Sequence, residues 1–421
     1  MSVPQRLPNP ASPQPEIVRE LRAFTWNGRA TRREVTSVGF ARRRPIVVET
    51  FVNEFWTSKQ RAAHSLHEVS YRACFKPQLP RFFIDRFTGP GDVVYDPFMG
   101  RGTTVLEAAL AGRTPAGCDI NPLSAMLAQP RLSPPTAEEV ERRLAQIDLS
   151  LALSYPRELE VFYHPETLRE ICALREYLLA RDSGGSLDGI DRWIRMVAVN
   201  RLTGHSPGFF SVYTLPPNQA TSLDAQARIN ARRKQTPPRR NVRQLIAGKT
   251  RSLLTDCDAV TRAALLRSSN RAMLMTRPAH STPRLKANSV SLVVTSPPFL
   301  DVVDYAGDNW LRGWFCGIDT SAVEISIHRK VDEWQAAMTT VFHELARVLR
   351  PGGHVAFEVG EVRKGRLKLE DLVIPAANQA ALTPTLLLVN WQTFTKTSKC
   401  WGVGNMSNGT NTNRVVLLRK E

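Results

Sequence analysis

The pentapeptide Thr295-Ser296-Pro297-Pro298-Phe299 contains residue types suited to chemistry on an amine. Proline has no N–H to donate and fixes φ near about −65°, so two in succession present the Ser296 hydroxyl and the carbonyls of Ser296 and Pro297 as rigid acceptors. An amine can be held there, and the adjacent Phe299 ring offers a flat apolar face for a planar heterocycle. Upstream, the apolar run 289–294 reads as a buried strand, which mounts the turn on a strand end. With 29 prolines, the chain also contains such tripeptides by chance. Ser133-Pro134-Pro135 has neither strand nor aromatic around it, and Leu215-Pro216-Pro217-Asn218 is a second decoy.

A second motif gives the first its meaning. Asp92-Val93-Val94-Tyr95-Asp96-Pro97-Phe98-Met99-Gly100-Arg101-Gly102-Thr103-Thr104 reads as strand, glycine turn and helix start, with helix formers running on to a capping Gly112. A further strand, Pro115-Ala116-Gly117-Cys118-Asp119, ends in a carboxylate roughly 20 residues beyond the turn, the spacing at which a Rossmann-like crossover brings an acid to a ribose. Two details argue against a dinucleotide. The third glycine is missing, and Phe98 would crowd a pyrophosphate while packing well beside a nucleoside. An adenosyl ligand without phosphates fits better.

Together these residues resemble the amino-methyltransferases, the S-adenosylmethionine-dependent DNA methylases that modify cytosine N4 or adenine N6. Phe98-Met99-Gly100-Arg101-Gly102 matches their Phe-x-Gly-x-Gly cofactor motif, and Ser296-Pro297-Pro298-Phe299 matches their Asp/Asn/Ser-Pro-Pro-aromatic catalytic motif, in the serine form typical of the cytosine-N4 enzymes. Phe75-Lys76-Pro77 is similar to the segment that closes over the methionine end of the cofactor, and Leu349-Arg350-Pro351-Gly352-Gly353 to the fold's helix-to-strand turn.

The resemblance implies an α/β, Rossmann-like class I methyltransferase with a mixed, mostly parallel seven-stranded sheet and S-adenosyl-L-methionine as cofactor. It further implies cofactor contacts from Phe75, Lys76, Asp96, Phe98, Gly100, Gly102, Thr103 and Asp119, and catalysis by Ser296, Pro297, Pro298 and Phe299 on a base flipped out of double-stranded DNA. A restriction endonuclease is left open as a counterpart. In one respect the chain departs from the family: the expected third strand, 272–275, runs into Thr276-Arg277-Pro278 with no acid for the adenine amine.

Roughly 190 residues separate the motifs, about twice what two or three βα units need, so a large insertion is expected. The expected organisation is a disordered proline-rich tail over 1–20, a basic segment and the first half of the methyltransferase domain over 21–130, a mainly helical insertion over 131–270 as candidate target-recognition region, and the second half over 271–421. Helical signals dominate the insertion, including a capping box at Thr136-Ala137-Glu138-Glu139. The glycine- and aromatic-rich stretch 204–213 breaks that pattern, either lining a DNA cleft or packing internally.

A formal charge of +17 indicates an anionic partner. Candidate nucleic-acid contacts are Arg42, Arg43 and Arg44 near the start, and Arg232, Arg233, Lys234, Arg239 and Arg240 in the insertion. The six cysteines form no Cys-x-x-Cys pair, so neither a zinc site nor a disulfide framework is expected. No apolar stretch is long enough to cross a membrane, and a reducing, DNA-containing bacterial cytoplasm is the expected home. Physics does not separate cytosine from adenine, since both present an amine beside a ring acceptor. Adenine N6 and an RNA exocyclic amine stay open as alternative targets, as does a non-enzymatic DNA-binding module on a relic cofactor fold.

Overall fold

The strands that end in the two motifs lie side by side at the centre of a nine-stranded sheet, with Val94 opposite Leu292 and Tyr95 opposite Val293. The computed structural model describes residues 16–40, 43–56, 63–72, 74–151, 154–215, 220–298, 305–323, 328, 330–362, 367–391 and 412–421. In chain order the sheet strands are β1 (Arg32–Phe40), β2 (Arg43–Asn53), β3 (Val93–Asp96), β4 (Thr114–Asp119), β5 (Met273–Thr276), β6 (Val290–Thr295), β7 (Leu349–Val359), β8 (Leu382–Trp391) and β9 (Thr412–Lys420). Their spatial order is β1-β2-β8-β9-β7-β6-β3-β4-β5. Pairing is parallel from β7 through β6, β3 and β4 to β5, antiparallel on both sides of β9, and parallel again between β8 and β2. The C-terminal ends of β2, β3, β4, β6, β7 and β8 therefore share one edge.

Seven strands were expected, and the order from β8 to β5 supplies them. The other two are the β1–β2 hairpin, built from the segment read only as basic. Its pattern was present: Val48, Thr50 and Val52 alternate and are buried, and Val48 and Val52 join the core under one face. Charge masked this alternation. Likewise the tail expected to run to residue 20 gives way to helix α1 (Glu16–Ala23), whose Ile17, Val18 and Leu21 are buried; residues 1–15 lie outside those described.

Helices cover both faces. α1 and α2 (Gln78–Phe87) pack on one with Val94, Leu292 and Val294. Tyr95, Val290 and Val293 face the other, under α12 (Val331–Val348) and α13 (Glu370–Gln379). Between the motifs run α3 (Thr103–Leu110), α4 (Pro122–Leu132), α5 (Ala137–Gln146), α6 (Pro165–Ser183), α7 (Gly189–Val199), α8 (Leu223–Arg233), α9 (Val242–Leu253) and α10 (Ala259–Ser269), and α11 (Tyr305–Cys316) follows the catalytic turn. The helical insertion is not an independent unit. Trp193, Phe162 and Leu174 belong to the same apolar cluster as Met99, Val105 and Leu106 of the glycine turn and α3.

Candidate active site

The glycine turn is shaped by two left-handed residues, Gly100 at φ 48° and Gly102 at φ 76°. A Cβ on Gly102 would sit 2.7 Å from Cβ of Ala128 in α4, so this glycine serves close helix packing as well as backbone conformation. The turn is held from below by Asp119 at the end of β4, which accepts from Gly100 N–H at 2.8 Å and Asn121 N–H at 2.9 Å.

Hydrogen bonds join the two motifs directly. Thr295 Oγ1 donates to Asp96 Oδ1 at 2.6 Å, and Thr104 Oγ1 donates to the Val294 carbonyl at 3.0 Å. From α12, the Trp334 indole donates to the Pro298 carbonyl at 2.9 Å and fixes the far end of the proline turn. As a result one concave pocket is lined by Phe75, Asp96, Phe98, Gly100, Thr103 and Asp119 together with Ser296 and Pro298. Of the other expected residues, Lys76, Gly102 and Pro297 stand outside that lining. Phe299, with Asp301 and Asp304, lies outside the described residues.

Electrostatics of the pocket follow from burial. Removal from water pushes the Asp96 carboxyl up to about 7 against the bonds from Thr295 and the Phe98 N–H, and it raises Asp119 as well. Beside Ser296 stands Glu358 of β7, raised by burial against the opposing influence of the nearby Ser296 hydroxyl and of Asn413 Nδ2 of β9, from which it accepts at 3.0 Å.

Glu358 is the residue that sequence reading missed most clearly; its only signal is a lone carboxylate in the apolar strand Val355-Ala356-Phe357-Glu358-Val359. Tyr71, Arg72, Asn121, Pro278, Ala279, His280 and Met338 also line the pocket. After β5, where the sequence offers no acid, Pro278, Ala279 and His280 form the pocket wall. Asn121 Nδ2 donates to the Tyr71 hydroxyl at 3.3 Å, and Arg72 pairs with Asp308 of α11 at 2.7 Å.

The basic candidates separate in space. Arg232, Arg233 and Lys234 are exposed at the end of α8, with Arg233 lying 3.7 Å over the Tyr213 ring. Arg239 pairs with Glu166 at 2.7 Å, and the backbone of Arg240 is hooked to Thr167 of α6. Arg42 lies outside the described residues, and Arg43 and Arg44 fall in β2 with only their backbone described. α8 is tied to the catalytic side, since Trp310 Nε1 of α11 donates to the Thr221 carbonyl and Ala220 N–H to the Asp308 carbonyl. In the stretch 204–213, Phe209 and Phe210 are buried, and Gly204 is pressed against the Phe209 ring. These aromatics pack.

Among the described residues no group of three or more His, Cys, Asp or Glu could hold a metal ion, and no helix is long and apolar enough to cross a membrane. Five described cysteines are free.

Residues 33–129, which include the glycine turn and Asp119, match the family model described as DNA methylase. The chain is 36% identical over 76 residues to the Type II methyltransferase M.MjaII of Methanocaldococcus jannaschii, covering 18% of this chain and 14% of that one. It is 32% identical over 111 residues to M.MvaI of Kocuria varians, covering 26% and 23%, and 23% identical over 301 residues to M.BsoBI of Geobacillus stearothermophilus, covering 65% and 57%. The chain thus spans less than a quarter of the first two curated relatives and 57% of the third. Among solved structures, TrmN of Thermus thermophilus is 12% identical with a TM-score of 0.31 over 85% of this chain and 52% of that one. The strand order and the motif-bearing segment define a Rossmann-like, S-adenosylmethionine-dependent methyltransferase fold. Within that class, residues 33–129 are similar to the DNA methylases of the matching N6/N4 family model.

Proposed function

We propose that this chain methylates the exocyclic N4 of a cytosine flipped out of duplex DNA, using S-adenosyl-L-methionine. The observation that best supports this reading is the Thr295–Asp96 hydrogen bond, which brings the proline turn and the glycine turn to one pocket. The donor set suits the cofactor. Phe98 and Pro278 offer apolar walls for an adenine, Asp119 offers carboxylate lone pairs to ribose hydroxyls, and Asp96 and Asp119 suit a ligand bearing positive charge. When bound, the cofactor supplies an electrophilic methyl group on a sulfonium.

The protein's task is to make a poor nucleophile react, because the amine lone pair is delocalised into the ring. The Ser296 hydroxyl donates to Glu358 and so turns an oxygen lone pair toward the pocket, where it accepts one amine N–H. The Ser296 or Pro297 carbonyl accepts the other, localising the nitrogen lone pair. Trp334 holds the turn rigid through Pro298, so that alignment contributes much of the rate. Once the nitrogen has gained a methyl group it must lose a proton. Glu358, whose proton affinity burial raises, is reached through Ser296. Following the naming of its relatives, we place the chain among Type II modification methyltransferases, with a restriction endonuclease of the same recognition sequence as counterpart.

Incubation with duplex DNA and labelled cofactor, followed by nucleoside mass spectrometry, is expected to yield N4-methylcytosine. N6-methyladenine, or transfer to structured RNA alone, would overturn the base assignment. Ser296→Ala and Glu358→Gln should each lower kcat by about 100-fold while cofactor affinity by calorimetry stays within about twofold. Full activity in both removes the proposed mechanism.

A further inference from the structure

Outside the catalytic pocket, a groove at the same edge of the sheet combines indoles and guanidiniums. Trp26, Arg29, Arg32, Asn53, Glu54 and Trp391 line it. Trp26 and Arg29 are cross-strand neighbours in a tight ribbon whose turn, Asn27 at φ 48° and Gly28 at φ 76°, has the left-handed pair of a type I′ hairpin. That ribbon is docked by Asn53 Nδ2, which donates to the Arg29 carbonyl and to Thr31 Oγ1, both at 3.2 Å. Trp391, at the C-terminal end of β8, is 53% exposed and has the Arg32 guanidinium 5.9 Å from its ring centroid. A large indole left in water at a strand end, with two arginines around it, is a presented surface.

Its position gives the surface a use. The ends of β6, β7, β8 and β2 share the edge that carries Ser296 and Glu358, and β8 lies three strands from β6. At about 4.8 Å per strand, Trp391 stands about 14 Å from the catalytic turn in the plane of the sheet, and β1 about 24 Å. Along a duplex at 3.4 Å per step, those separations are about four to seven base pairs.

We propose that this groove binds the phosphodiester backbone of duplex DNA about four to seven base pairs from the flipped base. Arg29 and Arg32 meet phosphates, while the indoles of Trp26 and Trp391 pack on deoxyribose and can donate their N–H groups. Arg32 also pairs with Glu34 at 2.8 Å, but both side chains are half or more exposed, so that contact is readily exchanged for a phosphate. The β1–β2 hairpin, which forms the groove together with the ribbon and the end of β8, is the addition to the seven-strand order and widens this edge of the sheet by two strands. This assignment rests on the DNA-methyltransferase reading.

Full-length protein is titrated with a fluorescein-labelled 30-base-pair mixed-sequence duplex across a salt series. Arg29→Ala/Arg32→Ala should weaken binding about tenfold and lower the log–log salt slope by about 1.8, the value for two lost phosphate contacts. Arg271→Ala/Arg350→Ala removes the same charge at the opposite ends of the strands and should leave the slope unchanged. Trp391→Phe should lessen the DNA-induced quenching of tryptophan emission, with cofactor affinity equal to wild type in every variant. If the wild type binds duplex and Arg29→Ala/Arg32→Ala matches it in affinity and slope, the groove assignment fails alone. A wild type without duplex affinity removes the groove and the DNA reading together. Duplex bound through the groove but never methylated would sink the reading and leave the groove standing.

Discussion

The catalytic edge of the sheet and the helical insertion use charge in opposite ways. At the edge, Asp96 and Glu358 are buried and Asp119 is half-buried, with hydroxyl and N–H donors instead of cations around them, so removal from water pushes their carboxyls upward. In the insertion, charges neutralise one another. Asp191 is fully buried between Arg143 and Arg181 at 2.5 and 2.6 Å, and the buried Arg195 pairs with Asp182 at 2.6 Å. Buried carboxylates without cations in a cleft are candidates for ligand contacts, whereas those closed off by arginines are satisfied within the fold. A count of arginines cannot tell the two apart.

The largest expected break in this comparison comes from the turn that joins the regions. Gly102→Ala places a methyl group against Ala128 at a left-handed φ and should destabilise the protein by about 2 to 3 kcal/mol, read as a lowered denaturant midpoint. An unchanged midpoint would mean that α4 is not locked to the turn. Next, Arg228→Ala/Arg232→Ala/Lys234→Ala on the exposed end of α8 should reduce the salt slope of duplex binding by about 2.7, whereas Arg195→Ala should reduce it by less than 1, because that guanidinium is buried and paired with Asp182. Equal slopes for the two would erase the distinction between scaffold charge and partner-facing charge.

The smallest effect concerns pH. Asp96 has a folded pKa of about 7, raised above its unfolded value, so the stability it contributes is fully present below about pH 4 and is lost as pH rises to 7. Asp96→Asn should therefore gain stability relative to wild type between pH 5 and 8 in thermal melts of the cofactor-free protein. A constant difference would place Asp96 among ordinary carboxylates.

The legible parts of this protein were local. The strand-turn-helix around Gly100, the strand ending at Asp119 and the capping box at Thr136 each declare themselves within a dozen residues, by period, glycine placement or cap chemistry. The β1–β2 hairpin was not legible because the charged residues on its exposed face break the apolar run in which Val48, Thr50 and Val52 alternate. Trp334 and Glu358 lie 38 and 62 residues beyond Ser296 and carry no motif, so nothing in their neighbourhood connects them to it.

From the sequence alone came the chemistry on offer: two proline-fixed acceptors beside a serine, a glycine turn with a carboxylate roughly 20 residues on, and a surplus of positive charge. Only the tertiary structure decided that Thr295 meets Asp96, that Glu358 stands beside Ser296, and which arginines remain for a partner. The reason is one of range. Backbone preference and periodicity act over a few residues, whereas hydrogen bonding and desolvation between side chains depend on strands adjacent in the sheet and distant in the chain.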